Sequence, residues 1–112
     1  MRTGKIGDRV KLRAVLVAAI VTCAGCWPVF GPTDRQLRVL RMCESGGRYT
    51  VHNPSGKYHG AYQFDLATWR SAGGTGDPHA ASPAEQDFRV RVLHKSRGWA
   101  PWPVCGLKAK RA

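Results

Sequence analysis

From Thr33 onward the chain has about eighty residues left. They carry two cysteines, Cys43 and Cys105, set near the two ends of that span. A body of this size encloses a thin core and has no room for a second one. A covalent tie between its ends is therefore the strongest single constraint on what it can become. Such a tie needs an oxidising compartment, and the first third of the chain reads as an address for one. Five basic residues (Arg2, Lys5, Arg9, Lys11, Arg13) precede the apolar run Ala14–Val21, "AVLVAAIV", and no charge falls between Ala14 and Thr33. A basic start followed by an apolar run of about 7–15 residues is the pattern of a secretory signal. Pro28, Gly31 and Pro32 interrupt the run, and a membrane span needs about 20 apolar residues. Export is expected, with an uncleaved anchor as the alternative. In an exported chain Cys43 and Cys105 should pair, and closing a loop of that size is worth about 4 kcal/mol on the chain-entropy model.

The segment's exit, "CAGCW", leaves two readings open. Ala24-Gly25-Cys26 resembles the end of a bacterial lipoprotein signal, which makes Cys26 a candidate for lipidation, although Cys23 stands where that pattern prefers a larger aliphatic residue. Cys23 and Cys26 also form a C-x-x-C, but a redox or zinc role would need a βαβ context or further ligands that an apolar leader does not offer. The division expected is an export signal or anchor with linker over 1–32, one folded domain over 33–106, and a frayed basic tail over 107–112.

The chain has 18 Lys plus Arg against 7 Asp plus Glu, a net charge of +11. A basic surface suits a polyanion such as nucleic acid, anionic lipid or an anionic wall polymer, or it serves only solubility. No helix-turn-helix or zinc-finger pattern supports nucleic acid, so no nucleic-acid partner is expected.

Local signals place the elements. Thr33-Asp-Arg-Gln36 has the form of a capping box. Leu37, Leu40 and Glu44 recur at helical spacing, with Met42 and Cys43 widening that face, and Gly46-Gly47 stops the helix near Ser45. Tyr49-Thr-Val51, the turn Asn53-Pro-Ser-Gly56 and Tyr58–Phe64 read as a short hairpin. Asp65 caps a short helix, "LATWRSA", ended by Gly73-Gly74. Ser82-Pro-Ala-Glu85 opens a further helix with Ala84, Phe88, Val92 and Leu93 on its inner side, ending near Gly98. "WAPWPVCG" should be irregular. The fold expected is α+β, mostly helical, with a short β-hairpin, one disulfide and a cleft between hairpin and helices. The four histidines (52, 59, 79, 94) show no ligand spacing on one helix, so surface or loop positions and no metal are expected.

Glu44 continues the Leu37/Leu40 stripe. Apolar neighbours would raise its pKa above the ordinary carboxyl value and keep a proton available for a leaving-group oxygen. The catalytic glutamic acid of lysozyme, set in an apolar pocket, has this arrangement. The plainer reading is a solvated carboxylate at a helix end, although a negative charge there is unfavourable by about 0.3–1 kcal/mol.

Taken together, "CESGG" at Cys43, "GAYQFDLATW" at Gly60 and "GW…PWPVC" from Gly98 resemble, in this order, the resuscitation-promoting-factor family, the transglycosylase-like domain of exported bacterial proteins. The likeness runs from about Asp34 to Cys105. It implies a small lysozyme-like fold that cleaves the glycan strands of peptidoglycan. It makes Glu44 the catalytic acid and Cys43–Cys105 the disulfide. It puts Gln63, Phe64, Thr68 and Trp69 along the sugar cleft. Tyr58 and Tyr62 fall in "NPSGKYHGAY", where relatives often have a Gly-rich, Asn-rich segment, and they complete the set of candidate sugar-binding residues. Trp69 could instead be core, and Trp99 and Trp102 are expected to pack near the disulfide.

Most glycosidases use two carboxylates. Asp34, Asp65, Asp77, Glu85 and Asp87 each have a simpler structural role, so a single-acid scheme is favoured, with Asp65 as runner-up for a second acid. The implied protein is a secreted or wall-associated lytic transglycosylase or muramidase, anchored at most through its N-terminal segment, monomeric and without cofactor. The alternative is a non-catalytic peptidoglycan-binding or signalling module of the same fold.

Overall fold

The computed structural model describes residues 31–112, and Gly31–Ala112 form one compact unit. The expectations placed on residues 1–30, the signal and the Cys26 lipidation among them, lie outside the described residues. Among the described residues no helix is long and apolar enough to cross a membrane.

The first helix, α1, spans Asp34–Ser45. Its capping box forms: the Gln36 amide donates to Thr33 Oγ1 at 3.1 Å, and the Thr33 amide donates to Gln36 Oε1 at 3.0 Å. Gly46 and Gly47 take left-handed backbone at φ +70° and +81°, and their amides return to the carbonyls of Met42 and Arg41. This ends the helix one residue after Glu44. Leu37 and Leu40 are buried, whereas Met42 faces solvent and does not join the apolar side.

The hairpin is minimal. Asn53 and Tyr58 pair around the Asn53–Gly56 turn, His52 faces His59 in an antiparallel bridge, and His59 pairs again with Phe64. These are isolated bridges, with no extended strand among the described residues. A short hairpin holds its shape only when packed on something, and here Tyr62 and Phe64 sink into the core.

Three further helices follow: α2 over Leu66–Ser71, α3 over Pro83–Arg97 and α4 over Cys105–Lys110, with a 3-10 turn at Pro78–Ala80 between α2 and α3. Asp65 caps α2 by accepting from the Thr68 amide at 2.7 Å. Ser82 caps α3 from one side only, since the Glu85 side chain pairs with Arg89 instead of reaching back. The inner face of α3 is Gln86, Val90 and Leu93, with Val92 packed partly against the core, while Ala84 and Phe88 face solvent. Phe88 is 52% exposed and lies beside the Arg89 guanidinium. The apolar stripe misled because the residue that belongs inside is a glutamine. Gln86 is fully buried, takes the Ala61 amide at 2.9 Å and donates to the carbonyls of Tyr49 and Ala81, both at 3.0 Å. One amide side chain thus bolts the hairpin to the segment before α3.

The basic end is not frayed. It continues the short helix α4, which packs on α1 and buries Ala109. Gly106 lets α4 lie close against the loop before it, since a Cβ there would stand 2.7 Å from the carbonyl oxygen of Trp99. Cys43 is bonded to Cys105 with Cα atoms 5.7 Å apart, joining α1 to α4. The mostly helical, single-disulfide architecture is the one expected. Its core holds a chain of four aromatic rings: Tyr62, Phe64, Trp69 and Trp102 meet edge to face at 5.1–6.4 Å between ring centroids, contacts worth about 0.5–1.5 kcal/mol each beyond their burial.

Candidate active site

Glu44 occupies the last turn of α1 and is held from both sides. Its predecessor, Cys43, is covalently tied to α4. Its successor, Ser45, is buried and donates to the Ala61 carbonyl at 2.7 Å. The backbone around the carboxylate therefore has little freedom.

The carboxylate faces a groove made of two depressions. One, of about 320 Å³, is lined by Glu44, Asn53, Tyr58, Gln63, Pro101, Trp102 and Pro103. The other, of about 220 Å³, shares Tyr58, Gln63, Pro101 and Trp102 and continues past Phe64, Asp65, Thr68, Arg97 and Ala100. The hairpin forms one wall, and the loop between α3 and α4 forms the other. Glu44 is half-buried, and burial alone pushes its pKa above the ordinary carboxyl value.

The other acidic side chains of the described residues are engaged. Asp34 pairs with Arg91, Glu85 with Arg89, and Asp77 with His79. Asp87 accepts from the hydroxyls of Tyr49 and Tyr62. Asp65, the runner-up acid, does line the groove but spends Oδ1 on its helix cap. Among the described residues only Glu44 has neither a hydrogen bond nor an ion pair to its carboxylate, which leaves a weakly solvated carboxyl open to whatever fills the groove.

The candidate sugar-binding residues divide. Tyr58, Gln63 and Thr68 line the groove, together with Phe64. Gln63 sits at φ +54° in the tight turn, with Nε2 donating to the Gly60 carbonyl at 3.0 Å. Tyr62 and Trp69 do not line it. Both are fully buried. The Tyr62 hydroxyl donates to Asp87 and accepts from Arg41, and burial followed by the Asp87 contact pushes its pKa far up. The Trp69 indole donates to the Thr75 carbonyl at 3.1 Å and is sealed by Gly74, where a Cβ would stand 2.3 Å from the ring. Neither can touch a ligand.

The tryptophan that borders the groove is instead Trp102, which sequence reasoning assigned to packing. It does pack: its indole donates to the Tyr62 carbonyl at 3.0 Å, and only 4% of it is exposed. Its remaining edge borders both depressions. Pro101 and Pro103 marked an irregular stretch, and residues 101–104 are indeed turns and bends, but no local signal told which side the ring between them would take.

Comparison with known proteins gives the family. The family model described as transglycosylase-like domain matches residues 31–105, from the first described residue to the second half of the disulfide. The chain is 42% identical over 69 residues to the resuscitation-promoting factor Rpf of Micrococcus luteus, covering 62% of this chain and 30% of that protein. It is 39% identical over 69 residues to RpfE of Mycobacterium tuberculosis, covering 62% of this chain and 40% of that protein. It is 36% identical over 95 residues to RpfC of the same species, covering 85% of this chain and 66% of that protein. The chain thus spans about a third of the Micrococcus factor and under half of RpfE. With the fold, the disulfide and the family model in agreement, the chain belongs to the transglycosylase-like domain family of the resuscitation-promoting factors.

Proposed function

We propose that this domain cleaves the glycan strand of peptidoglycan at the β-1,4 bond between MurNAc and GlcNAc, with Glu44 as its only catalytic carboxylate. The observation that carries the reading is Glu44 itself, a half-buried carboxyl with a raised pKa, without a hydrogen bond or ion pair among the described residues and facing the groove. In the protonated state it gives its proton to the glycosidic oxygen as the C1–O bond breaks. The carboxylate left behind then takes a proton from the nucleophile that adds to C1. If that nucleophile is the sugar's own 6-hydroxyl, the product is a 1,6-anhydro sugar, as in lytic transglycosylases. If it is water, the product is a reducing end, as in muramidases. The engagement of Asp65 in its helix cap supports the one-acid scheme. Tyr58 offers a ring to the sugars and Trp102 an edge, while Gln63, Thr68 and Asn53 offer groups for hydroxyl edges.

The basic surface attracts an anionic wall, and the signal-like pattern of residues 1–32 sends the domain there. Its role is wall remodelling or resuscitation-type growth stimulation, acting as a secreted or wall-associated monomer. Mass spectrometry of muropeptides released by the purified protein tests the proposal. Anhydro and reducing ends differ by one water and separate the two chemistries. Release of neither, with binding to insoluble peptidoglycan retained, makes the domain a glycan-binding module.

A further inference from the structure

On another part of the hairpin stands a cluster that the groove does not use. His52 and His59 are cross-strand partners, and Asp77 and His79 begin the 3-10 turn. One potential ligand atom from each of these four side chains lies within 4.8 Å of every other. The His59 side chain is only 8% exposed, and its Nδ1 stands 3.0 Å from Oδ1 of Asp77. The alignment there does not make a hydrogen bond, so this ion-pair approach is the one contact Nδ1 has among the described residues. A buried imidazole nitrogen without a hydrogen bond is rare and needs a reason. The rings of His52 and His79 face each other with centroids 4.2 Å apart.

We infer that His52, His59, Asp77 and His79 form a binding site for a divalent transition-metal ion, Zn²⁺ in the first place. Three imidazoles and one carboxylate make a complete tetrahedral set for zinc, whereas Ca²⁺ and Mg²⁺ take sets of oxygens. With metal–ligand bonds near 2.0–2.1 Å, the ligand atoms of such a tetrahedron stand about 3.3 Å apart. The present spread closes by turning exposed His52 and half-exposed His79 toward buried His59. The backbone under the cluster is already built, because Gln86 ties the hairpin to the end of the 3-10 turn through Ala61, Tyr49 and Ala81. Four protein ligands leave no open position, so the ion acts as a clip and not as a hydrolytic centre. It joins the hairpin to the 3-10 turn at His59, the residue after the groove-lining Tyr58, and so stiffens one wall of the groove.

The test is titration of Zn²⁺ into the purified, disulfide-bonded full chain in competition with a colorimetric zinc chelator, with thermal unfolding followed in Zn²⁺, Mg²⁺ or EDTA. One ion per chain is expected, with Tm raised on the order of 10 °C at a hundredfold excess of Zn²⁺ over its Kd and no response to Mg²⁺. His52→Ala and His79→Ala should keep the Tm of the metal-free protein and each weaken binding at least tenfold, while Cys23→Ser with Cys26→Ser should bind like the parent. Absence of one-to-one binding overturns the inference. So does binding that survives unchanged in either histidine variant, or that disappears with the two N-terminal cysteines.

Discussion

Ser45 donates its hydroxyl to the carbonyl of Ala61 across the junction of α1 and the hairpin, at 2.7 Å. Two residues earlier in the chain, Cys43 is bonded to Cys105. Glu44 lies between these two anchors, so its aim depends on both.

Removing the covalent anchor with Cys43→Ser and Cys105→Ser together should cost about 4 kcal/mol, given the 62-residue separation, and lower Tm by roughly 20 °C. Ser45→Ala leaves a buried carbonyl without its donor and should cost about 1–3 kcal/mol. Below their unfolding temperatures both variants should digest purified walls more slowly than the parent, because the Glu44 backbone loosens. Differential scanning calorimetry and turbidity loss of wall suspensions check these outcomes.

Glu44→Gln should reduce wall digestion at least about a hundredfold, the usual scale for losing a general acid, while pull-down on insoluble peptidoglycan persists. Its effect on stability should run the other way. Burial raises the folded-state pKa of Glu44 above the unfolded value, so the folded state holds more protons and stability falls as pH rises through that window. The glutamine variant escapes this loss. At pH 7 its Tm should equal or exceed the parent's, and the advantage should vanish below the ordinary carboxyl range. Activity of the parent should decline as pH rises through the pKa of Glu44, a limb readable from a pH–rate profile.

Tyr58 and Tyr62 should separate cleanly. Tyr58 borders the groove, so Tyr58→Ala should raise KM for wall fragments several-fold and shift Tm little. Tyr62→Phe removes a buried hydroxyl shared with Asp87 and Arg41 and should cost about 1–3 kcal/mol, with kcat and KM of the folded protein unchanged. Steady-state kinetics beside thermal melts decide between the two patterns.

Gln86→Leu keeps the buried volume but strands the amide of Ala61 and the carbonyls of Tyr49 and Ala81. A loss of roughly 3 kcal/mol or more is expected, larger than for any solvent-facing position of α3. Hydrogen exchange should show the hairpin amides losing protection first, since that wall hangs on this side chain.

Much of this chain was legible because its signals are local. A capping box, a capping aspartate or a glycine pair acts over three or four residues, so Thr33, Asp65 and Gly46-Gly47 announced α1 and α2 in advance. The phase of α3 was not legible, because a buried glutamine inverts the apolar rule. Its partners lie 25 and 37 residues back along the chain. Helix α4 was missed for a related reason. At six residues it is too short to form on propensity alone, and it exists because it rests on α1, to which the disulfide ties it.

By itself the sequence determined the order of the first three helices with the turn-rich hairpin between the first two, the pairing of Cys43 with Cys105 expected of an exported chain, and, with the family motifs, the choice of Glu44. Only the tertiary structure decided which aromatic residues meet the groove. It sent Tyr62 and Trp69 inward, left an edge of Trp102 in the open and gathered His52, His59, Asp77 and His79 into one cluster. The physical reason is that a side chain's surroundings are set by segments far away in sequence. Trp69 is sealed because Gly74 lets the backbone close over its ring, whereas Trp102, also packed in the core, keeps one edge on the groove.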